Sequence, residues 1–293
     1  MRTVLRISLL ATLIAGVSAP GYADSSPGSR IWATGGVTTI EGSAGGGLVP
    51  WATLSGYASD REVGGTLALT RAHLQDYNLT VAGASVNWHN RVEVSFARQI
   101  FDLKTIGAAL DTNDLTQDIF GLKVRLAGDL LYSPFGQWSA GLQHKRNRTF
   151  DLPEAVGAKD DTGTDGYLAF NKLLFAALLD RNVLLGATVR ATRANQTGLL
   201  GFGGDRNDDY EIQAELAAGV FLNRQWLVGA EYRQKPDNLS ALQEEDWWDL
   251  FVAWVPDRRL AVTAAWVDLG NVASEAADLD PQRAFYLSLQ GSF

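Results

Sequence analysis

The sequence has no cysteine, one methionine and three histidines in 293 residues. The missing cysteine excludes a disulfide framework, a thiolate metal site, a cysteine nucleophile and a cysteine-linked lipid anchor. The histidines, His73, His89 and His144, are dispersed and make a poor metal set. Positive charge is not in excess: 25 Lys and Arg face 33 Asp and Glu, for a net −8. That balance argues against nucleic acid as a partner. A mean hydropathy of −0.05 leaves no room for several helical spans of about 20 apolar residues. Apolar material is not scarce, however. At 46% hydrophobic with 9 Trp and 30 Gly, the chain has enough for a folded core and is not disordered.

The only long apolar run is at the start. Arg2 and Arg6 precede Ile7 to Val17, and Gly21 and Ala23 occupy the −3 and −1 positions of a cleavage site. This is the order of a secretory signal peptide. The run covers about 16 Å of helix, roughly half of a bilayer's hydrocarbon, so it is too short for an anchor. The expected organisation is a signal peptide over residues 1–23 and one domain over 24–293. Cleavage removes two arginines and no acid, leaving 23 basic residues against 33 acidic ones, a net −10. An exported chain without cysteine fits the periplasm or the outer membrane of a bacterium.

After residue 23, apolar residues recur at every second position over segments of roughly ten, the period of a strand. Phe120, Leu122, Val124 and Leu126 alternate with Gly121, Lys123, Arg125 and Ala127. Trp248, Leu250, Val252 and Trp254 oppose Asp249, Phe251 and Ala253, and Phe285, Leu287, Leu289, Gly291 and Phe293 close the chain. Short turns near 59–60, 89–90, 133–134, 180–181, 223–224 and 256–257 alternate with long polar connections at 102–118, 149–165, 194–208, 235–246 and 269–283. Short turns on one side and long loops on the other are the plan of an outer-membrane barrel. Counting back from the last strand gives about fourteen antiparallel strands, the first two at 30–40 and 48–58. The alternative is about twelve strands, with the Gly-rich start (Gly35-Gly36, Gly45-Gly46-Gly47) as an N-terminal plug.

A soluble β-sandwich has the same period, but three features favour an all-β, single transmembrane antiparallel β-barrel. The apolar face carries aromatics toward its segment ends, at Tyr132, Trp138, Trp226, Tyr232, Trp248, Trp254 and Trp266. The opposite face is charged: Glu93, Lys123, Arg125, Asp129, Lys145, Arg190, Glu211, Glu215, Glu231, Arg233 and Asp249. Unpaired burial of so many charges in a sandwich would cost several kcal/mol each. The chain also ends on Phe293 at the close of an alternating strand, which resembles the signature by which such barrels are recognised for assembly.

The Gly35-Gly36-Val37 start, the run into Leu48-Val49-Pro50-Trp51-Ala52 and the segment Asn195 to Gly204 resemble a proteobacterial outer-membrane family of unknown function, domain-of-unknown-function family 3034, porin-like in general architecture. The resemblance extends over most of the mature chain. It implies a Gram-negative source and offers no activity to carry over.

The eleven charged inward residues are the candidate lumen lining. They either tune a pore or pair across strands and fill a narrow lumen. Their near balance of sign predicts weak ion selectivity. Asp205, Asn207 and Asp209 imitate the start of a calcium loop, but Tyr210 and Leu216 stand where it needs Gly and Glu, so no metal is assigned. Leu199-Leu200-Gly201-Phe202 is too apolar for an outer loop and is a candidate constriction at the mouth. No serine pairs with a histidine by a recognisable spacing, so no catalytic residue is assigned. The expected role is a passive outer-membrane channel or transporter for a small solute, without cofactor. The alternatives are a non-conducting structural or surface-interaction barrel and a lipid-modifying enzyme. Expected partners are outer-membrane lipid, the barrel-assembly machinery through the C-terminal strand, and a small solute, with no nucleic acid. Solute, lumen width and oligomeric state are not legible.

Overall fold

The computed structural model describes residues 35–74, 76–104, 114–270 and 282–293. The signal segment 1–23 and residues 30–34 of the first expected strand lie outside the described residues. Two short strands come first, β1 (Val37–Thr38) and β2 (Ala44–Gly45), paired with each other. Then follow β3 (Val63–Leu74), β4 (Asn78–Trp88), β5 (Val92–Asp102), β6 (Asp114–Gly128), β7 (Gln137–Asn147) and β8 (Thr162–Leu178). The series ends with β9 (Arg181–Thr192), β10 (Glu211–Phe221), β11 (Trp226–Arg233), β12 (Trp247–Trp254), β13 (Leu260–Asp268) and β14 (Arg283–Ser292). A short helix, α1 (Asp151–Ala155), sits in the connection before β8.

Strands β3 to β14 form a closed antiparallel barrel of 12 strands in sequence order, with β14 hydrogen-bonded to β3. Phe293 completes the closure: its N–H and C=O exchange hydrogen bonds with Gly65, both at 3.0 Å. Closure leaves no strand edge unpaired. The fourteen-strand count is therefore corrected to twelve, and the alternative with an N-terminal plug is the one found. The segment 48–58 pairs with no barrel strand. Pro50 has no N–H to give a ladder, and residues 35–56 are buried on every side instead of alternating.

Period two sets the two faces. Along β7 the inward residues Gln137, Ser139, Gly141, Gln143, Lys145 and Asn147 are buried, while Trp138, Leu142, His144 and Arg146 are exposed. Large apolar side chains are exposed on eleven of the twelve barrel strands, among them Val94, Phe120, Leu142, Val189, Leu216, Leu250 and Leu287. On β13 the corresponding residue is Ala264, flanked by half-buried Val262 and Trp266. Such a belt is far larger than the patches a protein leaves to water. Aromatics bound it at both ends. Trp88, Trp138, Trp226 and Trp254 lie at the short-turn end, where Trp226 and Trp254 stack at 6.0 Å. Trp248 and Trp266 meet edge to face at 4.9 Å at the long-loop end. Where the belt stops on β5 to β7, Arg98, Asp118 and Arg146 stand side by side on neighbouring strands.

Candidate functional site

The interior is occupied by residues 35–58, which form the plug. Side chains of the wall hold its backbone at many points. Glu93 accepts the N–H groups of Ala44 (3.1 Å) and Ser55 (2.7 Å), and Lys123 donates to the carbonyls of Ala44 and Thr53. Gln137 and Ser139 donate to Ala52 C=O, and Thr188 donates to Pro50 C=O. Glu231 accepts from Leu48 N–H at 2.8 Å and from the Trp51 indole at 3.1 Å, and Asp249 in turn accepts the Glu231 N–H. Gly46 makes this approach feasible: a Cβ there would lie 2.0 Å from the Glu231 carboxylate.

One plug residue carries a charge into the wall. Glu41, fully buried, meets Lys145 at 2.5 Å, Arg233 at 2.9 Å and Arg190 at 3.2 Å. Asp165 contacts Lys145 at 2.6 Å and Arg190 at 3.4 Å, and Glu215 contacts Arg190 at 2.5 Å and Arg233 at 3.4 Å. Three acids thus balance three bases, five of them on the consecutive strands β7 to β11. Gln143 accepts a further Arg190 N–H at 2.6 Å.

The long-loop end is covered from above. Residues 194–202 turn inward, with Leu199, Leu200 and Phe202 buried. Phe202 packs against Gly163, where a Cβ would meet the ring at 2.2 Å. Asn147 donates to the carbonyls of Gly198 and Leu199, and Gln117 and Lys145 donate to that of Thr197. A buried ion pair between Lys235 and Glu244 (2.9 Å) grips Gln196: Lys235 donates to its side-chain oxygen and Glu244 accepts its N–H. Burial holds Lys235 below the usual lysine value and pushes Glu244 above the usual carboxylate value, so desolvation outweighs their mutual attraction.

Between this cover and the plug lies a chamber of about 200 Å³. Ile40 and Leu48 of the plug form its floor. Its walls include Leu74, Leu79, Phe101 and Leu115 on one flank and Trp247, Val267 and Tyr286 on the other. Among the described residues no charged side chain lines it.

Of the eleven candidate lining residues, Glu93, Lys123, Lys145, Arg190, Glu215, Glu231, Arg233 and Asp249 are buried inside the barrel in the contacts above. Arg125 sits at the short-turn rim and donates to Gly128 C=O. Glu211 sits at the mouth beside Asn207 and Gln213. Asp129 is not on the inner face. A register shift between Arg125 and Ala127 ends the alternation, and Asp129 caps the following turn by accepting the N–H groups of Leu131 and Tyr132. Two members of the ionic cluster escape sequence reasoning. Extending the alternation of β8 back from Tyr167 by two residues would have placed Asp165 inside. Glu41 gives only a weak signal, as one acid in a Gly-rich stretch.

The calcium-like loop is engaged elsewhere. Asp205 accepts from Ser240, Asn207 spans to Glu211 and Asp209, and Asp208 pairs with Arg193. Among the described residues there is no cluster of three metal-ligating side chains. His144 contacts Thr164 at 3.0 Å on the outer face, and His89 lies in a turn with φ of 51°.

A family model described as "Protein of unknown function (DUF3034)" matches residues 34–290. No curated protein matches the chain. Among solved structures, the outer membrane protein Omp33 of Acinetobacter baumannii is 10% identical, with 80% of this chain and 100% of that one covered and a TM-score of 0.47. The NanC porin is also 10% identical, with coverages of 77% and 98% and a TM-score of 0.49. Outer membrane phospholipase A from Escherichia coli is 10% identical, with coverages of 81% and 94% and a TM-score of 0.43. Likeness this distant assigns no role, and it spans both porins and an enzyme.

Proposed function

We propose, from the premise that the chain belongs to the DUF3034 family of proteins of unknown function, that it is an outer-membrane β-barrel passing a small solute through a lumen gated by its own plug. Membrane residence is supported by the apolar belt, the two aromatic rows and the closed sheet, which together suit hydrocarbon with headgroups at either end. Phe293, at the seam with β3, is the proposed contact of the C-terminal strand with the assembly machinery. The exported leader and the Gram-negative setting belong to the same reading.

The observation that carries the transport role is how the plug is held. Its polar contacts to β4 through β11 are hydrogen bonds and ion pairs to its backbone, to Glu41 and to the Trp51 indole, made by wall Lys, Arg, Glu, Asn, Gln, Ser and Thr. A plug fixed only by apolar packing would leave a wall hostile to water once displaced. The part of the wall that grips the plug tolerates water in the plug's place, because each gripping group has hydrogen-bonding capacity of its own. A passage opening past the plug would therefore be aqueous along β7 to β11, with mixed charge favouring neither ion sign strongly.

The test exploits the absence of cysteine. A Cβ at Gly83 would lie 3.3 Å from Thr38 Cγ2, so Thr38→Cys with Gly83→Cys can tether plug to wall by a disulfide. Refolded protein in proteoliposomes should admit small neutral solutes, the oxidised pair should stop this, and a reductant should restore it. Flux untouched by the tether, or no flux in any form, would overturn the reading.

A further inference from the structure

We infer that the chamber between plug and mouth is a binding site for a small uncharged molecule, predominantly apolar and about the size of a substituted benzene. The inference rests on the transport reading above and names the class of solute it would carry. At about 200 Å³ the chamber exceeds the roughly 150 Å³ apolar cavity that stays dry and takes up benzene. Water is a poor occupant, since a buried water needs two to four polar partners. Among the described residues Gln196 is the one amide in the lining, and Lys235 and Glu244 already engage it. Among the described residues an ion would find no free counter-charge: Glu41 is held by the cluster on the far side of the plug, and Lys235 and Glu244 are spent on each other.

An apolar lining of this extent gains free energy by meeting an apolar molecule in place of water. Two polar contacts are on offer among the described residues: the indole N–H of Trp247 and the hydroxyl of Tyr286, both lining residues, are buried without a partner. A ligand with a single acceptor oxygen, such as an alcohol, phenol or ketone, matches a described lining that is otherwise mostly hydrocarbon. The position also fits passage. The floor residue Ile40 adjoins Glu41, so a ligand pressing on the floor acts on the same plug segment that the ionic cluster holds.

The experiment uses the refolded full chain in lipid nanodiscs with 4-fluorotoluene as probe, read by 19F NMR. Wild-type protein should show saturable binding at one site, beyond the partitioning into empty nanodiscs. Ala72→Leu and Ala284→Leu, each adding volume to the chamber wall, should weaken it at least tenfold. Benzyl alcohol should displace the probe, whereas benzoate and glucose should not. Absence of saturable binding, binding unchanged in both filled variants, or displacement by benzoate as strong as by benzyl alcohol would overturn the inference. The tether experiment separates the two readings. Plug-dependent flux without saturable 4-fluorotoluene binding would sink this inference alone, and binding without any flux would sink the transport reading alone.

Discussion

Ile40 and Glu41 are neighbours in the chain, yet Ile40 floors an apolar chamber and Glu41 lies among Lys145, Arg190 and Arg233. The plug divides the barrel interior into two materials. On the β7 to β11 side, the three acids and three bases of the cluster are matched, and positions are fixed by hydrogen bonds of defined direction. Around the chamber, where β3 to β6 and β12 to β14 supply the lining, the described wall is mostly hydrocarbon and space is left over. Contacts of the first kind are all-or-none, because a charge that loses its partner is stranded in a dry interior. Contacts of the second kind are graded with area and volume, so this side can hold a vacancy or an occupant without reorganising. One side of the plug suits a latch, and the other suits a receptacle.

The sharpest way to break that comparison is to truncate its two adjoining residues. Glu41→Ala leaves three buried bases against two acids, and breaking a buried pair from one side costs about 3–5 kcal/mol. Ile40→Ala removes apolar atoms beside space that already exists, and its cost should fall at the low end for such truncations, about 2 kcal/mol. Urea unfolding of refolded protein, followed by tryptophan fluorescence and by heat-modifiable gel mobility, reads both. A larger loss for Ile40→Ala than for Glu41→Ala would show that the apolar side holds the plug.

The two materials were unequally legible in the sequence. Alternation in β7, β10, β12 and β14 is clean because one face meets apolar surroundings and the other meets the charged wall or plug. Those strands supplied Lys145, Glu215 and Asp249 by parity alone. Parity failed where geometry departs from period two, as at the register shift that removes Asp129 from the inner face. It also failed for the plug, where Leu48 to Ala52 looks like a strand and is folded as a buried coil. The ionic cluster could not be assembled from sequence at all, since Glu41 and Arg233 are 192 residues apart. The chamber is less legible still. Its inward residues, such as Ala72, Leu79 and Leu115, break the apolar-out rule and blur the pattern of their strands, and unfilled volume has no residue type of its own.

A smaller effect should come from the outer face, a third environment against which to compare the two inner ones. Trp254 stacks on Trp226 at the short-turn rim. Trp254→Ala removes a large ring, but lipid tails flow into the gap, so no cavity remains and only the aromatic pairing and the rim anchoring are lost. The expected cost is about 1 kcal/mol, measured by the same urea titration. A loss matching that of Glu41→Ala would mean that the rim, not the plug, governs the stability of the barrel.

The smallest expected effect tests whether the cover over the chamber moves independently of the wall. Asp205 accepts hydrogen bonds from the N–H of Ser240 at 2.9 Å and from its hydroxyl, joining the loop after residue 202 to the loop before β12. The Ser240 hydroxyl and N–H hold the Asp205 carboxyl below its usual range. A carboxylate with a folded-state value below its unfolded one stabilises the fold fully above the unfolded value, about 3.9, and loses that contribution as pH falls through the folded value. Hydrogen exchange at the Ser240 amide, corrected for intrinsic rates, should therefore lose protection as pH drops from about 5 to about 2. The β12 amides should keep theirs over the same window. Ser240→Ala should lower protection at pH 5 and flatten the dependence. Parallel loss in β12 would mean that cover and wall open together, and the chamber could then not admit a ligand without disturbing the barrel.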